Sequence, residues 1–157
     1  MPTKQTTKSR YQSRDADRVW TDEERAAMQE SSRERKAAAR RDPAEERADG
    51  EREVREKIAQ MPEPDRTVAE RIHALVTSSA PAFVPRTYYG MPAYAKNGKT
   101  ICFFKPASKF KERYSTFGFE QAARIDDGAM WPVAFAVTEL TADVEARIVE
   151  LVKKAVG

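Results

Sequence analysis

Long apolar runs are missing from this chain, and so are most of the residues on which site chemistry is usually built. No stretch approaches the roughly 20 apolar residues that a bilayer-crossing helix needs, which disfavours a membrane partner. Met1–Arg14 has no apolar centre, so it does not read as a secretory signal. A single cysteine, Cys102, in 157 residues excludes an internal disulfide and suits a reducing, cytoplasmic setting. A single histidine, His73, excludes a Cys/His zinc arrangement. Walker loops, dinucleotide fingerprints and nucleophile elbows are absent. No base and nucleophile can be paired from the sequence, so no catalytic residue is assigned. The expectation is a non-enzymatic protein with no cofactor.

Charge of one sign is missing over a long internal stretch. Between Arg71 and Lys111 there is no Asp or Glu, against seven bases. Met1–Arg14 likewise carries Lys4, Lys8, Arg10 and Arg14 and no acid. By contrast, residues 15–50 mix eight bases with eleven acids, and residues 112–150 hold eight acids against three bases. Such polarity speaks to partners rather than to fold.

Local signals divide the chain in two. Residues 1–50 read as a basic, disordered tail followed by a charged helical arm. Thr21 and Glu24 form a capping-box pattern, and good helix formers carry that helix to about Arg40. Met28 is its only large apolar residue, so the arm has no stripe with which to dock and is expected to be removable. Asp42-Pro43-Ala44-Glu45 is a second start signal, and Asp49-Gly50 is expected to interrupt it and mark a domain boundary.

Residues 51–157 read as one α+β domain. Val54, Ile58 and Met61 stripe a helix ended by Pro62, and Val68, Ile72, Leu75 and Val76 stripe a second, with Thr67 and Glu70 as its capping box. Ala80-Pro81 closes it. Arg86–Tyr89 reads as a strand broken by Gly90-Met91-Pro92. Ala93–Lys96 and Lys99–Phe104 flank Asn97-Gly98, the hairpin turn in which both residues need positive φ. That turn sets Lys96 opposite Lys99 and Tyr94 opposite Ile101. Pro92, Tyr94, Ile101 and Phe103 then share one face, and Ala93, Ala95, Cys102 and Phe104 the other. Arg113–Phe119 is a further strand. Trp131, Val133, Phe135 and Val137 mark an edge strand, because Pro132 cannot donate to a ladder. Thr141 caps a last helix striped by Val144, Ile148, Leu151, Val152 and Val156.

Tyr88-Tyr89-Gly90-Met91-Pro92-Ala93-Tyr94, followed by Asn97-Gly98 and an apolar strand, resembles the signature of the YdhG-like domains of unknown function. These belong to a superfamily that also includes YjbR and frataxin. The resemblance spans about Ile58 to Val156. It implies an antiparallel sheet with helices packed on one side, and it brings an iron-chaperone reading with it. Frataxin-type iron binding uses a carboxylate ridge on the first helix. Here that helix mixes Asp65 and Glu70 with Arg66 and Arg71, so no metal ligand is assigned.

The remaining chemistry is aromatic and basic. Lys105, Lys109, Lys111 and Arg113 interleave with Phe104, Phe110 and Tyr114, and no acid precedes Glu112 in this stretch to neutralise them. Gly90 allows close backbone approach, Met91 gives a soft wall, and Tyr89 and Tyr94 add hydroxyls. The expected ligand-binding residues are therefore Tyr89, Met91, Tyr94, Lys105, Lys109, Lys111 and Arg113, holding a small anionic or amphipathic ligand or an acidic protein partner. Single-stranded nucleic acid is a weaker third reading, since no RNA-binding signature accompanies the bases. His73 reads as a boundary histidine on its helix, Cys102 as a buried small residue, and Asp126-Asp127-Gly128 as a turn.

Overall fold

The computed structural model describes residues 19–39 and 42–157. The basic tail expected over residues 1–18 lies outside them. Helix α1 covers Asp22–Ala38. The Thr21 hydroxyl accepts a bond from the Glu24 amide and the Glu24 carboxylate accepts one from the Thr21 amide, which completes the capping box.

Helix α2 covers Pro43–Ala59, started by Asp42, whose carboxylate accepts from the Glu45 amide at 2.8 Å. It runs unbroken through Asp49-Gly50, so the expected interruption does not occur. Gly50 is buried because α2 lies directly on a strand there. A Cβ at this position would stand 1.9 Å from the Pro85 carbonyl oxygen. Glycine serves close approach here rather than a turn.

Helix α3 covers Asp65–Ser79 and has no side-chain cap. The expected Thr67–Glu70 box is replaced by Glu63, which accepts from both the amide and the hydroxyl of Thr67. The helix ends at Ala80, as the following proline requires.

Five strands follow: β1 (Val84–Tyr88), β2 (Met91–Lys96), β3 (Lys99–Lys105), β4 (Ser115–Phe119) and β5 (Ala134–Val137). They form one antiparallel sheet in sequence order. The break after β1 falls at Tyr89-Gly90, and Met91 and Pro92 already belong to β2. Asn97 and Gly98 take φ of 53° and 76°, as the hairpin turn demands. A short helix, α4 (Ala107–Phe110), joins β3 to β4. Helix α5 (Ala142–Val156) is capped by Thr141 and buries Ile148, Leu151, Val152 and Ala155.

The register of the β2–β3 hairpin differs from the straight pairing. Lys96 does face Lys99, but a bulge beyond Ala95 sets Tyr94 opposite Cys102 rather than Ile101. One extra residue flips every later side chain to the other face. Tyr94, Cys102 and Phe104 therefore face the helices with Phe117 and Phe119, while Ala93 and Phe103 lie on the outer face.

The architecture is thus α+β, with α2, α3 and α5 packed on an antiparallel sheet and the charged helix α1 preceding them. Val54, Ile72, Val76 and Val152 have no exposed surface and form the helical side of the core. No described helix is long and apolar enough to cross a membrane.

Candidate functional site

The corner between β1 and β2 is built from two residues in the left-handed region. Tyr89 has φ of 52° and Gly90 of 75°. A tyrosine pays for that conformation with roughly 1–2 kcal/mol, and α1 supplies the compensation. The Glu34 carboxylate accepts from both corner amides, from Tyr89 at 3.0 Å and from Gly90 at 2.9 Å. Burial pushes the Glu34 carboxyl above its ordinary value, although bonds from Gly90, Thr87 and Tyr89 oppose the shift.

One turn earlier on α1, Glu30 reaches the same corner. Its carboxylate takes Lys109 Nζ at 2.8 Å and Lys57 Nζ at 3.0 Å. Burial would raise its pKa, but the two lysine bonds outweigh burial and hold it below the ordinary value. Gly90 makes this contact possible, since a Cβ there would lie 2.1 Å from Glu30 Oε2 and 2.5 Å from Lys109 Nζ. Two turns earlier still, Glu23 pairs with Lys111 at 2.5 Å. Beside the corner, a cavity of about 270 Å³ is lined by Lys57, Gln60, Met61, Gly90, Ser108 and Lys109, among others.

The seven expected ligand-binding residues do not form one site. Tyr89, Lys109 and Lys111 meet α1 at or near the corner. Lys105 pairs with Glu112 at 2.5 Å and lies over the Phe110 ring at 4.9 Å. Arg113 lies over Tyr114, 5.1 Å from its centroid. Met91 is buried, and Tyr94 is only 1% exposed and faces the helices, so its hydroxyl reaches no surface ligand. The basic stretch is also not free of counter-charge, because Glu23 and Glu30 come to it from the arm and Glu112 from the following loop.

Glu30, Glu34 and Lys57 were not among the expected residues. The signal that finds the two acids is the spacing of 23, 30 and 34, which share one face of a helix with Ala27 and Ser31; no local signal marks Lys57. Those two small residues are 4% and 7% exposed. Met28 is not part of the docking face and is 36% exposed. The arm therefore docks, through acids and small residues rather than through an apolar stripe.

A second polar assembly runs from the domain interior at Tyr94 to the half-buried Glu51. His73 Nδ1 lies 2.8 Å from the Tyr94 hydroxyl, and His73 Nε2 lies 2.8 Å from Glu51 Oε1. Burial would raise the Glu51 carboxyl, but bonds from His73 and Arg55 hold it below the ordinary value. Burial, with Cys102 adding to it, pushes the Tyr94 phenol far above its usual range, so it stays protonated. The chain links α2, α3 and β2. Tyr94→Phe should leave a buried ring nitrogen unpaired and cost about 1–2 kcal/mol. Urea unfolding with an unchanged slope would measure this, and a midpoint equal to that of the parent would refute the linkage.

The other singled-out groups have structural surroundings. Cys102 is fully buried and burial pushes its thiol well up, which removes thiolate chemistry. Asp126 and Asp127 are exposed before Gly128, whose φ is 68°. Asp65 is buried and accepts from the Ser108 amide and hydroxyl and from the Ser115 hydroxyl, so it fastens α4 to α3. Among the described residues no three His, Cys, Asp or Glu side chains gather as a metal ion would require. Compared with known families, curated proteins and solved structures, the chain gives no match.

Proposed function

We propose that this is a non-enzymatic binding or accessory domain that takes an acidic group, from a small anion or an acidic partner, at the β1–β2 corner. The supporting observation is the carboxylate of Glu30, held by Lys57 and Lys109 against the bare Cα of Gly90. Charge-assisted bonds from two amines, set beside backbone amides that hold a second carboxylate, are what an anion-binding corner needs. A binding role is favoured over catalysis because the one histidine is 5% exposed with both ring nitrogens engaged. No observation favours the iron reading. Nor does any favour the nucleic-acid reading, whose basic tail lies outside the described residues.

The test is titration of the full chain with inorganic phosphate, followed by amide shifts. Gly90, Ser108 and Lys109 should shift together and saturably. Lys57→Ala with Lys109→Ala should weaken the response by roughly tenfold or more, as loss of two charge-assisted contacts implies. The reading fails if the double variant responds like the parent. It also fails if no saturable response appears even in a chain whose Glu30 is neutralised.

A further inference from the structure

Helix α1 holds onto the domain differently from its neighbours. Helices α2, α3 and α5 bury Val54, Ile72, Val76 and Val152 completely. On α1, only Ala27 and Ser31 are buried among the described side chains, and Met28 is half turned to solvent. The contacts that fix it are carboxylates: Glu23 on Lys111, Glu30 on Lys109 and Lys57, and Glu34 on the Tyr89 and Gly90 amides. These three acids stand at positions i, i+7 and i+11, within about 20° of one line along the helix, and span roughly 16 Å of its axis. The domain presents matching donors along that line. A surface complementary to a line of carboxylates, covered by a mixed-charge helix with little apolar anchorage, is exchangeable.

We infer that α1 is a tethered occupant of an interaction surface, and that the partner of this surface is an acidic helical segment of another protein with carboxylates at the same spacing. The inference rests on the proposed reading of the corner as an anion site, and adds to it the partner and its control. Tethering gives α1 a high local concentration, so a free acidic helix binds appreciably only when α1 is weakened or lifted. The surface has three parts: Lys111, the Lys57–Lys109 pair over Gly90, and the two corner amides. A small anion fills only one of them.

The probe is a synthetic peptide of residues 21–39, titrated into the full chain and into its Glu30→Gln variant, with inorganic phosphate in parallel. The peptide should bind the variant on the order of tenfold more tightly than the parent, with shifts at Gly90, Lys109 and Lys111. A peptide bearing Glu30→Gln itself should bind the variant more weakly. Equal affinity of the native peptide for both chains would overturn the tethered-occupant inference. Lysine-dependent phosphate binding with no peptide binding to either chain would overturn the helical partner and leave the anion site standing. No response to phosphate or peptide in either chain would overturn both.

Discussion

Phe104→Ala is expected to cost about 3–5 kcal/mol, the range for removing a large buried aromatic. Phe104 is 1% exposed and sits opposite Phe117 in the β3–β4 pairing, on the face covered by helices. Phe117 in turn meets Phe119 edge to face at 5.2 Å, so the lost ring leaves a hole among aromatic neighbours that cannot easily collapse. Phe103→Ala, one residue away, should cost less, under about 2 kcal/mol by area. Its ring is half-buried on the outer face, over Gly118 and 6.1 Å from Tyr88. Urea unfolding of both variants measures the order. A larger loss at Phe103 would restore the straight hairpin register and show that the bulge beyond Ala95 is absent.

Gly50→Ala should destabilise the fold by about 3 kcal/mol, although alanine is the better helix former by up to about 1 kcal/mol. The added methyl would meet the Pro85 carbonyl oxygen at 1.9 Å and its carbon at 3.0 Å. Both atoms are backbone, and β1 is pinned to β2 from Val84 to Tyr88, so neither can step aside as a side-chain end would. The helix must lift off the strand, which takes Val54 with it. A neutral or stabilising alanine would mean that α2 is not seated on β1. The same seating changes where the chain can be cut. Removing residues 1–50 would take Asp42 and the first two turns of α2, along with the Arg47 bonds to the carbonyls of Pro81 and Phe83. A cut before Asp42 spares all of these.

The basic corner was half legible. The run without acids from Arg71 to Lys111 pointed to bases awaiting a partner, and Lys109 and Lys111 are such bases. The partner could not be read, because Glu30 lies 79 residues from Lys109 along the chain. Lys57 and the corner amides were missed for the same reason. Tyr94 was read as a ligand-facing hydroxyl, but the bulge in the hairpin pairs it with Cys102 and turns it to the helices. Asp65, weighed as part of a carboxylate ridge, turned out to hold α4.

The sequence by itself determined the elements whose signals are local. Thr21 with Glu24, Asp42 with Pro43, and Thr141 each start a helix because a side chain three residues away can satisfy a free amide. Asn97-Gly98 makes its turn because both residues tolerate positive φ, whereas Pro132 lies ahead of the edge strand β5 rather than in it. These preferences act within a few residues and need no knowledge of the fold. Only the tertiary structure decided the rest. It set the bulge that turns Phe104 inward and the use of Gly50 as a seat for β1. It also joined His73 to Tyr94 and Glu51, and laid the carboxylate line of α1 over a basic corner. Each of those is settled by which distant groups meet, and by whether a buried polar atom or an added methyl has room when they do.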